Sequence, residues 1–190
     1  MSRWQSNPRG RLEQAAMDLF TERGFDQTTV ADIAARAGLT ERTFFRHFTD
    51  KREVLFQGGQ YLEEQMVGAL AAAPPTATPL AAVAAALTAA ATMFDGEGRQ
   101  ERSRMRQHII DANPELQERE VGKLARLGAA LADGLRARGV PDPAARLAAD
   151  IGIAVFYAAF EQWVRGDAGD MRALIDDCLD EVVKIAEGGR

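Results

Sequence analysis

The chain has 190 residues, of which 46% are hydrophobic and 27% are charged, and this excludes general disorder and leaves room for one ordinary domain or two small ones. Its 35 alanines, against 17 valines and isoleucines together, favour helix and nearly exclude an all-β fold or a parallel-sheet enzyme. Residues 1–56 carry nine basic and eight acidic side chains, a net charge of +1 within a total of −5, so only this first third is suited to face DNA.

The predicted location of the protein rests on its cysteine content and on two segments, the first residues and residues 66–94. Cys178 is the single cysteine, and the first residues, MSRWQSNPRGR, contain no apolar stretch typical of export. Residues 66–94 carry no charge, but three prolines interrupt them and alanine dominates the rest, whereas a spanning helix needs about 20 strongly apolar residues. We therefore expect a cytoplasmic protein with no membrane partner.

The first two predicted helices have clear ends. Apolar residues at spacings of three and four predict a helix over residues 8–23, which stops at Gly24. A second, short helix opens at Thr29, where Asp32 three residues later is typical of a capping box, and it ends at Gly38.

A third helix begins at Thr40 as N-cap and buries Phe44 and Phe48, which are spaced one turn apart. Two short helices joined by a tight turn at Gly38, the second with an apolar inner face and a polar outer face, predict a helix-turn-helix. Such a motif presents its second helix to the major groove of DNA.

Six further helices are bracketed by their own start and stop signals, and no strand signal or repeat is present. They are predicted at residues 51–72, 79–95, 97–111, 114–139, 142–166 and 170–188. The prediction is an all-α, nine-helix, two-domain protein: residues 1–56 form a helix-turn-helix DNA-binding domain, and residues 57–190 form an effector-binding and dimerisation domain.

The third helix and its flanks supply the candidate DNA contacts. Arg42 and Arg46 lie one turn apart and can bind guanine with both guanidinium nitrogens or contact phosphate, while the threonines are short hydrogen-bond donors. The full set of candidates is Thr29, Thr40, Glu41, Arg42, Thr43, Phe45, Arg46, His47 and Lys51.

Lys51 raises a separate point, because a cation in the first turn of a helix opposes the macrodipole. The position is explained if a phosphate binds there, with Thr29 holding another phosphate at the start of the second helix. The alternative is that Lys51 is an ordinary solvated lysine.

Four motifs in residues 9–56 carry a resemblance to a known family. They are the Leu, Ala, Ala, Leu, Phe pattern of the first helix, Gly-Phe-x-x-Thr-Thr-Val at residues 24–30, Ile-Ala-x-x-Ala-Gly at residues 33–38 and Phe-x-x-Lys at residues 48–51. This segment resembles the DNA-binding head of the tetracycline-repressor (TetR) family of transcriptional regulators, and the match covers about a quarter of the chain.

The resemblance implies roles for matching positions. Thr29 and Lys51 fall on phosphate-binding positions, and residues 40–43, 46 and 47 fall on the recognition helix. Phe45 departs from the pattern, because relatives often have a tyrosine there whose hydroxyl reaches phosphate; Phe45 offers only apolar contact with sugar or a thymine methyl. Glu41 either accepts a hydrogen bond from the amino group of cytosine or caps the helix, and we favour capping.

The resemblance also implies a homodimer on a palindromic operator, with the last two helices at the interface, and a small effector that releases DNA. The residues support the dimer independently, because the last helix has an apolar stripe and the helix before it is apolar nearly all round. The candidate interface residues are Ile151, Val155, Leu174, Ile175, Cys178, Leu179 and Val182. Cys178 is interpreted as a small core residue.

Large or flexible apolar side chains on the body helices suggest a pocket for an apolar effector, although the same side chains can simply fill a core. They are Met66, Met93, Phe94, Met105, Ile109, Phe156, Tyr157, Phe160 and Trp163. The sequence shows no metal-ligand spacing, and we expect no cofactor.

Two alternatives to an inducible repressor remain at this point. An enzyme or a helical lipid carrier would need a converging acid, base or nucleophile, or a phosphate loop, and no such motif is visible. A regulator without effector control is the other alternative, and the sign of regulation is open.

Overall fold

The computed structural model describes residues 7–166 and 169–188, and all regular structure in these residues is helical, which confirms the all-α prediction. The helices in chain order are α1 (Pro8–Arg23), α2 (Val30–Arg36), α3 (Glu41–His47), α4 (Glu53–Phe56), α5 (Gly59–Ala72), α6 (Pro79–Ala91), α7 (Arg99–Asp111), α8 (Pro114–Ala137), α9 (Asp142–Arg165) and α10 (Met171–Ala186). A single 3-10 turn, Thr92–Phe94, follows α6.

The helix predicted over residues 51–72 is present as two pieces, α4 and α5. Gln57 and Gly58 between them keep right-handed helical backbone angles. Counted as one helix, the pair gives the nine helices predicted for the described residues. Lys51 precedes α4 and does not lie in its first turn, because α4 begins at Glu53. The backbone N–H of Glu53 donates to the Asp50 side chain at 2.9 Å.

Local signals set the limits of α1. Asn7 accepts a hydrogen bond from the backbone N–H of Gly10 at 3.0 Å, and Pro8 occupies the first helical position, where no N–H is needed. The helix ends where Gly24 takes a φ of +88°, a conformation that residues with a side chain rarely adopt. The predicted limits of residues 8–23 are those observed.

The described residues divide into two compact units. The first contains residues 7–57 together with Met105–Glu118, and the second contains Gly58–Arg104 with residues 119–166 and 169–188. Both boundaries at the later segment fall inside helices, α7 and α8. The sequence predicted a first domain of residues 1–56. That prediction follows chain position alone and leaves out residues 105–118, which belong to the first unit.

The first unit has one apolar core, to which α1 contributes most. Its buried members are Leu12, Ala15, Ala16, Leu19, Phe20, Phe25, Ile33, Ala37, Phe44, Phe48, Val54, Leu55, Ile109, Ile110 and Leu116. This core fixes α2 and α3 from behind, so it is the support on which a DNA-reading surface depends.

In the second unit α6 packs against α5, α9 and α10. Small residues bring α6 and α9 close together: a Cβ added at Gly152 of α9 would overlap Val83. Among the described helices α9 is long and apolar enough, by length and composition alone, to cross a membrane, and α6 with α7 passes the same test as a pair bent by 100°. A buried core helix meets the same criteria, and α9 lies in this core.

Candidate DNA-binding site

Helices α2 and α3 form the predicted helix-turn-helix. The hydroxyl of Thr29 accepts from the backbone N–H of Asp32 at 3.1 Å, and the Asp32 carboxylate accepts from the backbone N–H of Thr29 at 3.0 Å, which completes the capping box of α2. The Thr40 hydroxyl caps α3 by accepting a hydrogen bond of 3.2 Å from the backbone N–H of Thr43.

The turn between the two helices depends on Gly38 and Arg11. Gly38 has a φ of +64°, which a side chain rarely adopts. The guanidinium of Arg11 donates to the carbonyl of Ala37 and, at 3.4 Å, to that of Gly38. A cation at the carboxyl end of α2 suits the helix dipole, so Arg11 ties α1 to the turn that orients α3. The sequence prediction missed this role of Arg11, which no local pattern signals.

The two faces of α3 are arranged as predicted. Phe44 is 0% exposed and Phe48 2%, and their ring centroids lie 5.1 Å apart in the core of the first unit. The exposed side chains of α3 are Glu41, Arg42, Phe45 and Arg46. The outward face, with three charged side chains and the ring of Phe45, is therefore held in place by the two buried phenyl rings of Phe44 and Phe48.

Most cationic side chains of residues 7–57 form hydrogen bonds or ion pairs with other groups of the same chain. The engaged side chains are Arg9 with Glu13, Arg11 with the turn, Arg23 with Asp32, Arg36 with Glu22, Lys51 with three carbonyls, and Arg52 with Asp50. Arg42 and Arg46 alone, among the eight cations described in this segment, have no hydrogen-bond or ion-pair partner. The two guanidinium groups left free for an anionic partner thus lie on the same exposed face.

Lys51 departs from the sequence prediction. Its ammonium group donates to the carbonyl of Phe25 at 2.7 Å and to that of Thr28 at 3.0 Å, lies 3.4 Å from the carbonyl of Asp26, and stands 4.3 Å from the centroid of the Phe25 ring. Lys51 is therefore neither an unfavourable first-turn cation nor a solvated lysine. It is a bridge to the segment between α1 and α2, and a phosphate contact would require it to share its donors.

Thr29 is exposed, but its hydroxyl already donates to the Asp32 carboxylate at 2.6 Å. The two hydrogen bonds from Thr29, from the hydroxyl and then from the backbone N–H, lower the pKa of Asp32. Arg23 completes this group at 3.1 Å from the same carboxylate. The hydroxyl of Thr29 would have to turn from Asp32 to donate to a phosphate.

Thr43 and His47 flank the exposed face and are both half-buried. The Thr43 hydroxyl lies 3.0 Å from that of Thr40. His47 is a predicted DNA contact, but its Nε2 atom is buried and has no hydrogen-bond partner among the described residues, so this atom is not open to DNA. Glu41 makes no capping bond in the described structure; Thr40 provides it.

The predicted pocket residues do not all lie together. In the second unit four aromatic side chains form one cluster with neighbouring ring centroids 5.1 to 6.4 Å apart: Phe94, Phe156, Phe160 and Trp163. Met66 is fully buried in the same core, against which Met93 packs. Met105 and Ile109 belong instead to the first unit, where Ile109 is a core residue, and Tyr157 is 43% exposed.

Two polar side chains that the sequence did not single out hold the end of α9 beside this cluster. Gln100 donates to the carbonyl of Trp163 at 2.5 Å, and Arg104 donates to the carbonyls of Val164 at 2.9 Å and Gly166 at 2.7 Å. They satisfy carbonyls that have no partner within the helix. The described residues contain no group of three or more His, Cys, Asp or Glu side chains placed to bind a metal ion.

The candidate dimer residues divide by burial. Val155 and Ile175 are 2% and 0% exposed within a single chain, because they face its own core, so they are wrongly assigned to an interface. Ile151, Leu174, Cys178, Leu179 and Val182 are half-buried. Burial raises the pKa of the Cys178 thiol, as expected for a packing residue rather than a reactive one.

The sequence analysis did not include the exposed apolar side chains of α9 and α10 among the interface candidates. They are Leu147, Tyr157, Val183 and Ile185. Helical periodicity shows that these helices are apolar on several sides, but it does not say which side their own chain covers.

A helix-turn-helix whose second helix presents two unpartnered arginines on a rigid apolar support defines a helix-turn-helix DNA-binding protein. Comparison with known proteins agrees. Residues 13–57 match the sequence model of bacterial regulatory proteins of the tetR family, and residues 77–186, more than half of the chain, match that of the MftR C-terminal domain. The chain belongs to the TetR family of transcriptional regulators, as its sequence motifs indicated.

Individual relatives support this assignment. MftR of Mycobacterium tuberculosis is 26% identical over 185 residues, which are 96% of this chain and 92% of MftR. TcmR of Streptomyces glaucescens is 37% identical over 90 residues, 47% of this chain and only 40% of TcmR. The structure of FadR from Thermus thermophilus in complex with lauroyl-CoA is similar in fold, with a TM-score of 0.54, 24% identity, and coverage of 93% of each chain.

Proposed function

We propose that this TetR-family regulator is a homodimeric repressor that inserts α3 of each subunit into adjacent major grooves of a palindromic operator. Recognition helices of such a dimer lie about 34 to 36 Å apart, one turn of DNA. A small apolar effector releases the protein by favouring a form that does not fit both half-sites.

The freedom of Arg42 and Arg46 carries this proposal. Their neighbours Arg9, Arg23, Arg36 and Arg52 are all held by carboxylates. Leaving two guanidinium groups unpaired on one helix face is unfavourable for a surface that meets only water, because like charges repel, but it suits a polyanion. The bidentate geometry of arginine further suits guanine edges and phosphate.

The homodimer is supported by the exposed apolar side chains of α9 and α10. Leu147 is 63% exposed and Ile185 70%, with Tyr157 and Val183 also exposed on the same two helices. Exposed apolar side chains on two helices that pack together are suited to a two-fold interface, in which each copy covers the other. A two-fold dimer also matches the symmetry of a palindrome.

An apolar effector is supported by the aromatic cluster of the second unit, in which Phe94 contacts Phe156, Phe160 and Trp163. The solved FadR structure contains lauroyl-CoA, and acyl thioesters are therefore the first ligands to test here. A cytoplasmic location, usual for regulators of this family, completes the proposal.

Selection of random DNA duplexes on the purified full-length protein tests the function. We expect an enriched palindrome, a stoichiometry of two chains per duplex, and release by an acyl or other apolar ligand. Arg42→Gln should weaken the enrichment and relax the motif at one base pair of each half-site, whereas Arg126→Gln, a matched loss of one exposed charge on α8, should leave the motif unchanged. Failure of the wild-type protein to enrich any motif would contradict the proposed function.

A further inference from the structure

Phe45 is the one large apolar side chain that is exposed in the described part of the first unit, with 55% of its surface open. It lies on α3, next to the unpartnered Arg42 and Arg46. All other large apolar residues there are covered at least in part, and the phenyl rings of Phe44 and Phe48 are buried completely or nearly so. The exposed ring thus lies on the face that the proposed repressor presents to DNA.

The position of Phe45 on the helix is central. With about 100° between successive residues, the exposed arc of α3 runs from Glu41 to Arg46, and Phe45 and Arg42 each lie roughly 30° from its midpoint. Glu41 and Arg46 lie at the edges of the arc. When the middle of this face points to the floor of a groove, Phe45 and Arg42 approach the bases, and the edge residues approach the backbones.

The ring is also held in place. Its centroid lies 5.5 Å from that of Phe44 at an interplanar angle of 84°, an edge-to-face contact with a ring that is itself fixed in the core. Phe45 therefore offers an apolar surface that contacts the core through one ring. It has no polar atom with which to bind phosphate or a base edge.

We propose that Phe45 reads thymine, by packing its ring against the 5-methyl group of one thymine in each half-site of the operator. The thymine methyl is the apolar feature that bases present in the major groove. The central position of Phe45 favours this contact over one with sugar at the groove edge. The inference rests on the proposed function, and it adds a T·A pair next to the base pair that Arg42 contacts.

Replacement of thymine by deoxyuridine tests the contact, because it removes only the methyl group. Burial of one methyl-sized group corresponds to about 0.8 kcal/mol, roughly fourfold in affinity, so substitution in both half-sites should weaken wild-type binding by about 15-fold. The other thymines of the selected operator are the internal controls and should tolerate the exchange. Affinities are measured by titration at a fixed salt concentration.

Phe45→Ala provides the decisive comparison. We expect the variant to bind the thymine and deoxyuridine operators equally, because the ring that senses the methyl group is gone. If Phe45→Ala does not fold, as judged by circular dichroism, Phe45→Gln takes its place, since it keeps helix propensity and removes the ring. Phe45→Leu should retain part of the penalty.

The outcomes separate this inference from the proposed function. Absence of any selected DNA motif contradicts both. A selected operator that is bound through Arg42, but that lacks thymine, tolerates deoxyuridine at every thymine, or shows the same penalty with Phe45→Ala, overturns the role of Phe45 and leaves the repressor function intact.

Discussion

The ammonium nitrogen of Lys51 lies 2.7 Å from the carbonyl oxygen of Phe25, and it stands over the ring of the same residue. Through this bond and the one to Thr28, the turn before α4 holds the segment that leads into α2. The lysine thus supports the helix-turn-helix in the absence of DNA.

Replacement of Lys51 by Met should therefore destabilise the free protein. Loss of charge-assisted bonds to half-buried carbonyls lowers the free energy of unfolding by about 1–3 kcal/mol. Urea unfolding checks this, with Lys184→Met, an exposed lysine of α10, as the control that should change little. If Lys51 also binds phosphate, the slope of log affinity against log salt falls by about 0.9 for each phosphate that the variant no longer binds, without a change in sequence preference. An unchanged unfolding midpoint would show that the carbonyl bonds contribute nothing.

Arg42→Ala should weaken specific binding by about 1–3 kcal/mol per half-site and relax the sequence preference at one base pair. The side chain has no partner in the free protein, so its removal should leave the melting temperature unchanged. Competition assays with single-base operator variants measure both effects. Equal loss of affinity for all sequences would instead assign Arg42 to phosphate.

Gly38→Ala should disrupt the turn between α2 and α3. The residue has a φ of +64°, and an added Cβ would lie 2.9 Å from a guanidinium nitrogen of Arg11. The left-handed conformation alone costs a non-glycine residue about 1–2 kcal/mol. Gly68→Ala is the matched control, because it lies inside α5 with open space around it, and it should stabilise by roughly 0.5–1 kcal/mol. Equal unfolding midpoints for the two variants would contradict the assignment.

Leu147→Glu should weaken the proposed homodimer. A carboxylate placed in an apolar interface has no partner and is expected to raise the dimer dissociation constant at least about tenfold. Val121→Glu is the control, since Val121 is also exposed but lies on α8. Analytical ultracentrifugation distinguishes the two, and a dimer that tolerates Leu147→Glu as well as Val121→Glu places its interface elsewhere.

The capping box of α2 should make stability depend on acid pH. Hydrogen bonds from Thr29 lower the pKa of Asp32, so the folded state favours the carboxylate. The contribution is complete above the ordinary aspartate pKa of about 3.9 and is lost as the pH falls through the lower folded pKa. The melting temperatures of wild type and Asp32→Ala should therefore differ at pH 6 and converge in acid. A difference that persists at pH 2 would assign the effect to packing.

Sequence reasoning succeeded where the physical cause is local. Thr29 and Thr40 cap the helices that follow them, and Gly24 and Gly38 end segments through positive φ, all within a few residues. The burial of Phe44 also follows from spacing along one short helix. These features require no knowledge of distant parts of the chain.

Sequence reasoning failed where a residue finds its partner far along the chain. Lys51 bonds to carbonyls more than twenty residues away, which no spacing rule encodes. Ile109 was predicted to line a pocket of the body, but the residues that cover it belong to the core of the first unit. Val155, predicted at an interface, is buried in its own chain, and Tyr157, predicted in a pocket, is exposed. The reason is the same, because helical periodicity defines the faces of a helix but not what packs against each face.

The membership of Met105–Glu118 in the first unit has a consequence for protein engineering. A gene cut after codon 57 would remove Ile109, Ile110 and Leu116 and leave a hole in the apolar core that supports the helix-turn-helix. Chimeric repressors that transplant only the amino-terminal third onto a foreign sensor body would inherit that hole. A graft that keeps its fold has to carry both stretches of coding sequence.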